Sequence, residues 1–244
     1  ESNELNKCKL YLENCTKLEL NQDQLTSLLE GELRLNKTNY QFIGENFDIN
    51  NIRNGTNYLN QINIGNTTIH SEPGVSVKVD NENKTILINQ IKAGAKVYIV
   101  NGELKDYHIE YSGLDIIEAG KKINLKTFPS NFPIDNLGLT GCLSLINLKI
   151  EKISINATNS SCEDTVNFIN SHGSVEDIKI NDSFSDALDV DFSNIKFKNI
   201  IVSNALNDCV DFSSGDYQLK NLKLNRCGDK GLSVGEKSIV ELNN

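Results

Sequence analysis

The pattern of apolar and polar positions is most regular toward the end of the chain. From Cys162 onward, short segments alternate apolar and polar residues and then return at a constant step. Asn167, Asp189, Asp211 and Ser233 are each flanked by two apolar residues and lie 22 residues apart. Val166, Leu188, Val210 and Leu232 precede them as one apolar row, and Phe168, Val190, Phe212 and Val234 follow as another. A second segment repeats in the same register, with rows Ile178, Ile200, Leu222 and Ile180, Val202, Leu224, and a third row runs Val175, Phe197, Leu219. Alternation predicts strands with one buried face, and a fixed return in the same chain direction stacks each strand on its counterpart as a parallel pair.

The predicted fold is therefore all-β, a right-handed parallel β-helix with coils of about 22 residues. A leucine-rich repeat has a comparable period but needs an LxxLxL frame and a helical return, which these Gly, Ser and Asn turns do not supply. Asp177, Asn199 and Asn221 also stack at the coil step, which predicts a side-chain ladder bonded from coil to coil. Upstream, GCLSLINLKIEKISIN from Gly141 reads as a further coil with a few extra residues, which would place Ile153 and Ile155 in the rows of Ile178 and Ile180.

Before residue 138 the period is irregular. Alternating runs such as NQINIG, VSVKVD, KTILIN, KVYIVNG and YHIEYSG predict further strands, read here as early, degenerate coils of one solenoid, with a separate antiparallel domain as the alternative. Residues 1–137 thus form an irregular β-rich part and residues 138–244 the regular coils. NQDQLTSLLEG, with Asn21 or Asp23 as N-cap and Gly31 as stop, is the helix candidate. The stretch from Lys121 to Leu139, with Pro129 and Pro133, reads as a long loop or boundary.

The run CEDTVNFINSHG, followed by SDALDVDFSN, NDCVDFSSG and GDKGLSVGEKS, resembles the right-handed parallel β-helix repeat regions of bacterial exported proteins. Some of these accompany kinase-like domains of the spore-coat CotH type. The resemblance covers residues from about 138 to 244, and no CotH-type kinase motif is present. It implies a pectin-lyase-like shape and an exported protein, and it transfers no single activity.

Composition narrows the function classes. The chain carries 33 acidic and 24 basic residues for a net charge of -9, and no Lys/Arg cluster interleaves with aromatics, which argues against nucleic acid as a partner. No apolar run approaches the roughly 18 residues needed to span a bilayer. The chain has no Met and starts at Glu1, and its repeat still runs at Asn244, so it is expected to be a piece of a longer protein with further domains. Six cysteines fall in three loose pairs, Cys8/Cys15, Cys142/Cys162 and Cys209/Cys227, without zinc spacing. Disulfides would suit export, and free buried thiols fit the same spacings. Sequons at Asn14, Asn36, Asn54, Asn66, Asn83, Asn156, Asn159 and Asn181 are weak evidence in so Asn-rich a chain.

The sharpest chemical feature is acidic. Asp189 and Asp211 are expected to point outward from adjacent coils about 4.8 Å apart, beside Asp191 and near Asp164, Asp186, Asp208 and Asp229. Stacked like charges must be screened, hydrogen-bonded or neutralised. Three readings follow. The carboxylates cap turn amides on a solvated face; or Asp189, Asp191 and Asp211 hold calcium; or they form an acid/base pair acting on a glycan, since a retaining pair sits about 5 Å apart. Asp186, Asp189, Asp208 and Asp211 are the corresponding ligand-binding candidates, and Asp189, Asp211, Asp191 and Lys230 the catalytic ones. The GHG and RIK segments of polygalacturonases and the DPHD of mannuronan epimerases are absent, and the ordinary role of Lys230 is an ion pair with Asp208 in the preceding coil. His172, in the turn SHG, reads as a turn residue. The expectation is an exported or cell-surface module, non-catalytic, binding polysaccharide or cell-surface glycan or serving as a scaffold; the alternative is a lyase, glycoside hydrolase or epimerase.

Overall fold

The computed structural model describes residues 60–114, 139–235 and 237–243. The helix candidate at 21–31, the Pro-containing stretch up to residue 138, Cys8 and Cys15 lie outside them. Every regular element among the described residues is a strand.

Two sheets run the length of the domain. In the first, β1 (Asn60–Ile64), β2 (Thr67–Ser71), β5 (Val97–Val100), β8 (Gly141–Ile146), β10 (Asp164–Ile169), β12 (Asp186–Asp191), β14 (Val210–Ser213) and β16 (Leu232–Gly235) follow one another. The second holds β3 (Val75–Asp80), β4 (Thr85–Gln90), β7 (His108–Ser112), β9 (Lys149–Thr158), β11 (His172–Ser183), β13 (Asn194–Ala205), β15 (Asp216–Cys227) and β17 (Ile239–Leu242), with β6 (Glu103–Lys105) pairing with β9 off this path. From β5 and β7 onward all neighbours are parallel, making a β-solenoid of about six turns.

The register is the one the sequence repeats predict. Val166 opposes Leu188, Leu188 opposes Val210 and Val210 opposes Leu232, and the Phe168 and Val175 rows stack likewise. Removing such side chains from water stabilises the coil by about 1.5–3 kcal/mol each. Inside, Phe168, Phe197, Phe212 and Tyr217 form a continuous aromatic file, with successive ring centroids 6.0, 5.9 and 4.4 Å apart.

One aligned row is shifted. Ile153 pairs with Val175, Ile155 with Ile178 and Ala157 with Ile180, so the expected match of Ile153 and Ile155 to Ile178 and Ile180 is displaced by two residues. The step from this coil to the next is 23 residues, and the bulge at Lys152 (φ 54°) in β9 is matched by one at Glu176 in β11, so the offset is the same on both sides of it. The same corner explains β6 and β7: they pair separately with 149–151 and 154–158, the two limbs of β9.

Runs before residue 114 combine both arrangements considered above. Hairpins β1–β2 and β3–β4 are antiparallel, as is β2 on β5, whereas β4 and β7 pair in parallel. All belong to the same two sheets as the regular coils.

Turns repeat as faithfully as strands. Asn147, Asn170, Phe192, Ser214 and Lys237 all have positive φ after the first strand of their coils, and positive φ recurs at Asn159 just past β9 and at Asp182, Asn204 and Arg226, the penultimate positions of β11, β13 and β15. Asn and Asp tolerate this region best, which accounts for their abundance at these corners. Their side chains bond between coils: Asn204 Nδ2 donates to Asp182 Oδ1 at 2.8 Å, and Asn170 Nδ2 donates to Asn147 Oδ1. The predicted ladder is present too, with Asn199 donating to Asp177 at 2.8 Å and Asn221 to Asn199 at 2.7 Å. At Gly173, φ is 129° and a Cβ would lie 1.8 Å from the carbonyl oxygen of Ile150, so only glycine fits.

Two disulfides staple the coils, Cys142 to Cys162 and Cys209 to Cys227.

Candidate functional site

The outer face of the first sheet carries the acidic residues, and strand alternation places them. Val166 and Phe168 enter the core, so Asn167 between them points out, and the parallel register lines Tyr98, Ser144, Asn167, Asp189, Asp211 and Ser233 into one polar row. Antiparallel pairing continues the row through His70. This face is not uniformly open: His70, Tyr98, Ser144 and Asn167 are buried, and Asp189 and Asp211 are half-buried.

Asp189 and Asp211 are direct register partners, as the repeat predicts. Asn167 Nδ2 donates to Asp189 Oδ2 at 2.8 Å and to Asp191 Oδ2 at 3.2 Å, bridging two carboxyl groups of the next coil. Burial, reinforced by Asp191, Asp164 and Asp211, raises the proton affinity of Asp189 well above the usual carboxylate range, and Asp191 is its hydrogen-bond neighbour.

A second acidic row lies at the strand starts. Asp164, only 2% exposed, is pushed up to about 8 by burial against the opposing hydrogen bond from Thr140, and one of its oxygens is unsatisfied. Asp186 opposes it in register. Asp186 Oδ1 accepts the backbone N–H of Asp208 at 2.8 Å, and Asp208 Oδ1 accepts that of Lys230 at 2.8 Å. These two carboxylates cap the following coil. Burial still raises Asp186, against the lowering effect of the Asp208 amide, and burial followed by Asp186 raises Glu163.

Lys230 Nζ lies 3.2 Å from Asp208 and 2.9 Å from Asp229, and these hydrogen bonds raise its pKa. It is a counterion in the Asp208 row and remains charged, the opposite of what a general base requires. His172 is exposed at the start of β11, on the second sheet.

The structure thus brings Asp189, Asp191 and Asp211 together on one face, with Asp186 and Asp208 as a capping row alongside. Among the described residues, no group of three or more His, Cys, Asp or Glu has the geometry to hold a metal ion, the Asp189, Asp191 and Asp211 set included. Three oxygens of the polar row, Ser144 Oγ, Asn167 Oδ1 and Asp211 Oδ1, have no hydrogen-bond partner.

Sequence reasoning missed two elements. Asn167 was legible as a row member but not as the bridge between Asp189 and Asp191, because the donor's reach depends on side-chain rotamers. A groove between β6, β9 and the hairpin turns was not legible either, since its paired residues Glu103 and Lys149 are 46 residues apart. That separation is about twice the coil step.

Fold and site together make this a parallel β-helix protein whose outer acidic face is organised coil by coil. No family model matches the chain, and no curated protein or solved structure matches it either.

Proposed function

We propose that the chain is an exported or cell-surface β-helix module that performs no catalysis and serves as a rigid scaffold holding a polysaccharide or cell-surface glycan. A right-handed, pectin-lyase-like coil and an association with further domains of a longer chain belong to the same reading. The observation that carries it is the engagement of the acidic row: Asp186 and Asp208 each accept a backbone N–H of the next coil, and Lys230 is locked onto Asp208. Groups so used hold coils together and are poorly placed to act on a substrate. Two disulfides in the coil stack support a route through an oxidising compartment.

One observation favours a second reading, a polysaccharide-active enzyme: burial and the neighbouring Asp191 shift the proton affinity of Asp189 upward, the direction a general acid requires. Product assays on acidic and neutral polysaccharides, run beside a glycan array, decide between the two. The module reading expects binding without products. Turnover that Asp211→Asn or Asp189→Asn abolishes would establish the enzyme.

A further inference from the structure

A groove with a volume of about 740 Å³, within the range of ligand-binding pockets, lies away from the acidic face. Its floor is β6 on β9. Glu103 opposes Lys149 and Lys105 opposes Glu151 in register, with ion pairs of 2.9 and 2.6 Å, while Leu104 and Ile150 between them are buried in the core. One wall is the β1–β2 turn at Asn66. It is fixed close to the β5–β6 turn, since a Cβ on Gly102 would lie 2.6 Å from the Asn66 carbonyl oxygen, and Thr67 Oγ1 donates to the Glu103 carbonyl at 3.2 Å. The other wall is the β3–β4 turn, where Lys84 Nζ donates to the Lys105 carbonyl at 3.1 Å and the Tyr107 hydroxyl donates to Asn81 Oδ1 at 3.0 Å.

The charges here are already balanced pairwise. A polyanion would have to displace the glutamates and would meet a chain of net charge -9; a polycation would have to displace the lysines. A hydroxyl group needs neither exchange. Each ammonium has donors left over and each carboxylate has free lone pairs, so neighbouring hydroxyls of one sugar can accept from the lysine and donate to the glutamate of the same pair. The side chains are accessible enough to do so, between 36 and 57% exposed. Walls fixed by hydrogen bonds leave little ordering entropy to be lost on binding.

We infer that this groove is a binding site for a neutral polysaccharide, its hydroxyls bridging the Glu103–Lys149 and Glu151–Lys105 pairs. The inference rests on the glycan-holding reading above and names the ligand class and the place. Affinity electrophoresis of the whole chain through hydroxyethylcellulose, arabinoxylan or galactomannan tests it, with polygalacturonate as the acidic comparison. Retardation is expected in at least one neutral gel. Lys149→Ala and the size-conserving pair Glu103→Gln/Glu151→Gln are expected to weaken that binding at least tenfold, with melting temperature and far-ultraviolet circular dichroism as the check on folding, while Lys198→Ala, which breaks a comparable exposed ion pair with Glu176 away from the groove, leaves it unchanged. Retardation that survives the groove variants overturns the site but leaves the module reading intact, and binding confined to polygalacturonate overturns the neutral ligand class. Absence of binding to any polysaccharide, on gels and array alike, overturns the glycan-holding reading and this inference with it.

Discussion

Asn167 and Asp189 are register partners on adjacent coils, and the Asn167 amide donates to both Asp189 and Asp191. One neutral side chain therefore tethers two carboxyl groups that would otherwise repel. Asn167→Ala leaves both without this donor in a buried setting and is expected to cost about 1–3 kcal/mol. Urea denaturation checks it as a lower midpoint at unchanged slope.

Asp164, Asp186, Asp189 and Glu163 all bind protons more tightly in the folded chain than a free carboxyl does. Below about pH 4 the unfolded chain is protonated as well, and these groups make no difference to stability. Above it the unfolded chain releases protons that the folded chain retains, so stability falls as pH rises, until Asp164 itself ionises near 8. The melting temperature is expected to be higher at pH 5 than at pH 8.5, by about 5 °C or more. Asp164→Asn removes much of that slope, and thermal melts of both proteins across pH 4–9 measure it.

The Cys209–Cys227 bridge closes a loop with a sequence separation of 18. Its removal as Cys209→Ser/Cys227→Ser is expected to cost about 3 kcal/mol through the freed unfolded chain. Thiol titration of the denatured, unreduced protein should find none of Cys142, Cys162, Cys209 and Cys227 reactive, and detection of these thiols would remove a support for export.

Phe212 lies between Phe197 and Tyr217 in the aromatic file and is fully buried. Phe212→Ala is expected to cost about 3–5 kcal/mol, because the rigid coils above and below limit collapse into the cavity. Calorimetry or chemical denaturation gives the value.

The two members of the Asp208–Lys230 pair are unequal. Asp208 is buried and caps the Lys230 amide, so Asp208→Ala is expected to destabilise by about 1–3 kcal/mol. Lys230 is exposed, and Lys230→Ala should have a much smaller effect in the same melts, with any product-forming activity unchanged.

The rows from Val166 to Val234 could be read from the chain because parallel stacking repeats each environment at a constant step. An apolar residue at one level then requires one at the next. Legibility failed where the step changed. Ile153 and Ile155 sit two residues from their expected partners because their coil advances by 23 residues and not by the 25 that the row alignment implied, and Glu103 and Lys149 meet across a gap of 46 residues. The antiparallel pairing of β1 and β2 was also open, since alternation shows that a strand has two faces but not which way its neighbour runs.

For the site, the sequence by itself determined that Asp189 stands above Asp211 on an outward face, which follows from period and alternation alone. Only the tertiary structure decided what those carboxylates experience. Burial depends on everything packed around the face, and the tether from Asn167 and the capping of backbone amides by Asp186 and Asp208 depend on side-chain directions in three dimensions. The coil step places residues; proton affinity and hydrogen-bond partners come from the solvent and dipoles that the completed fold leaves around them.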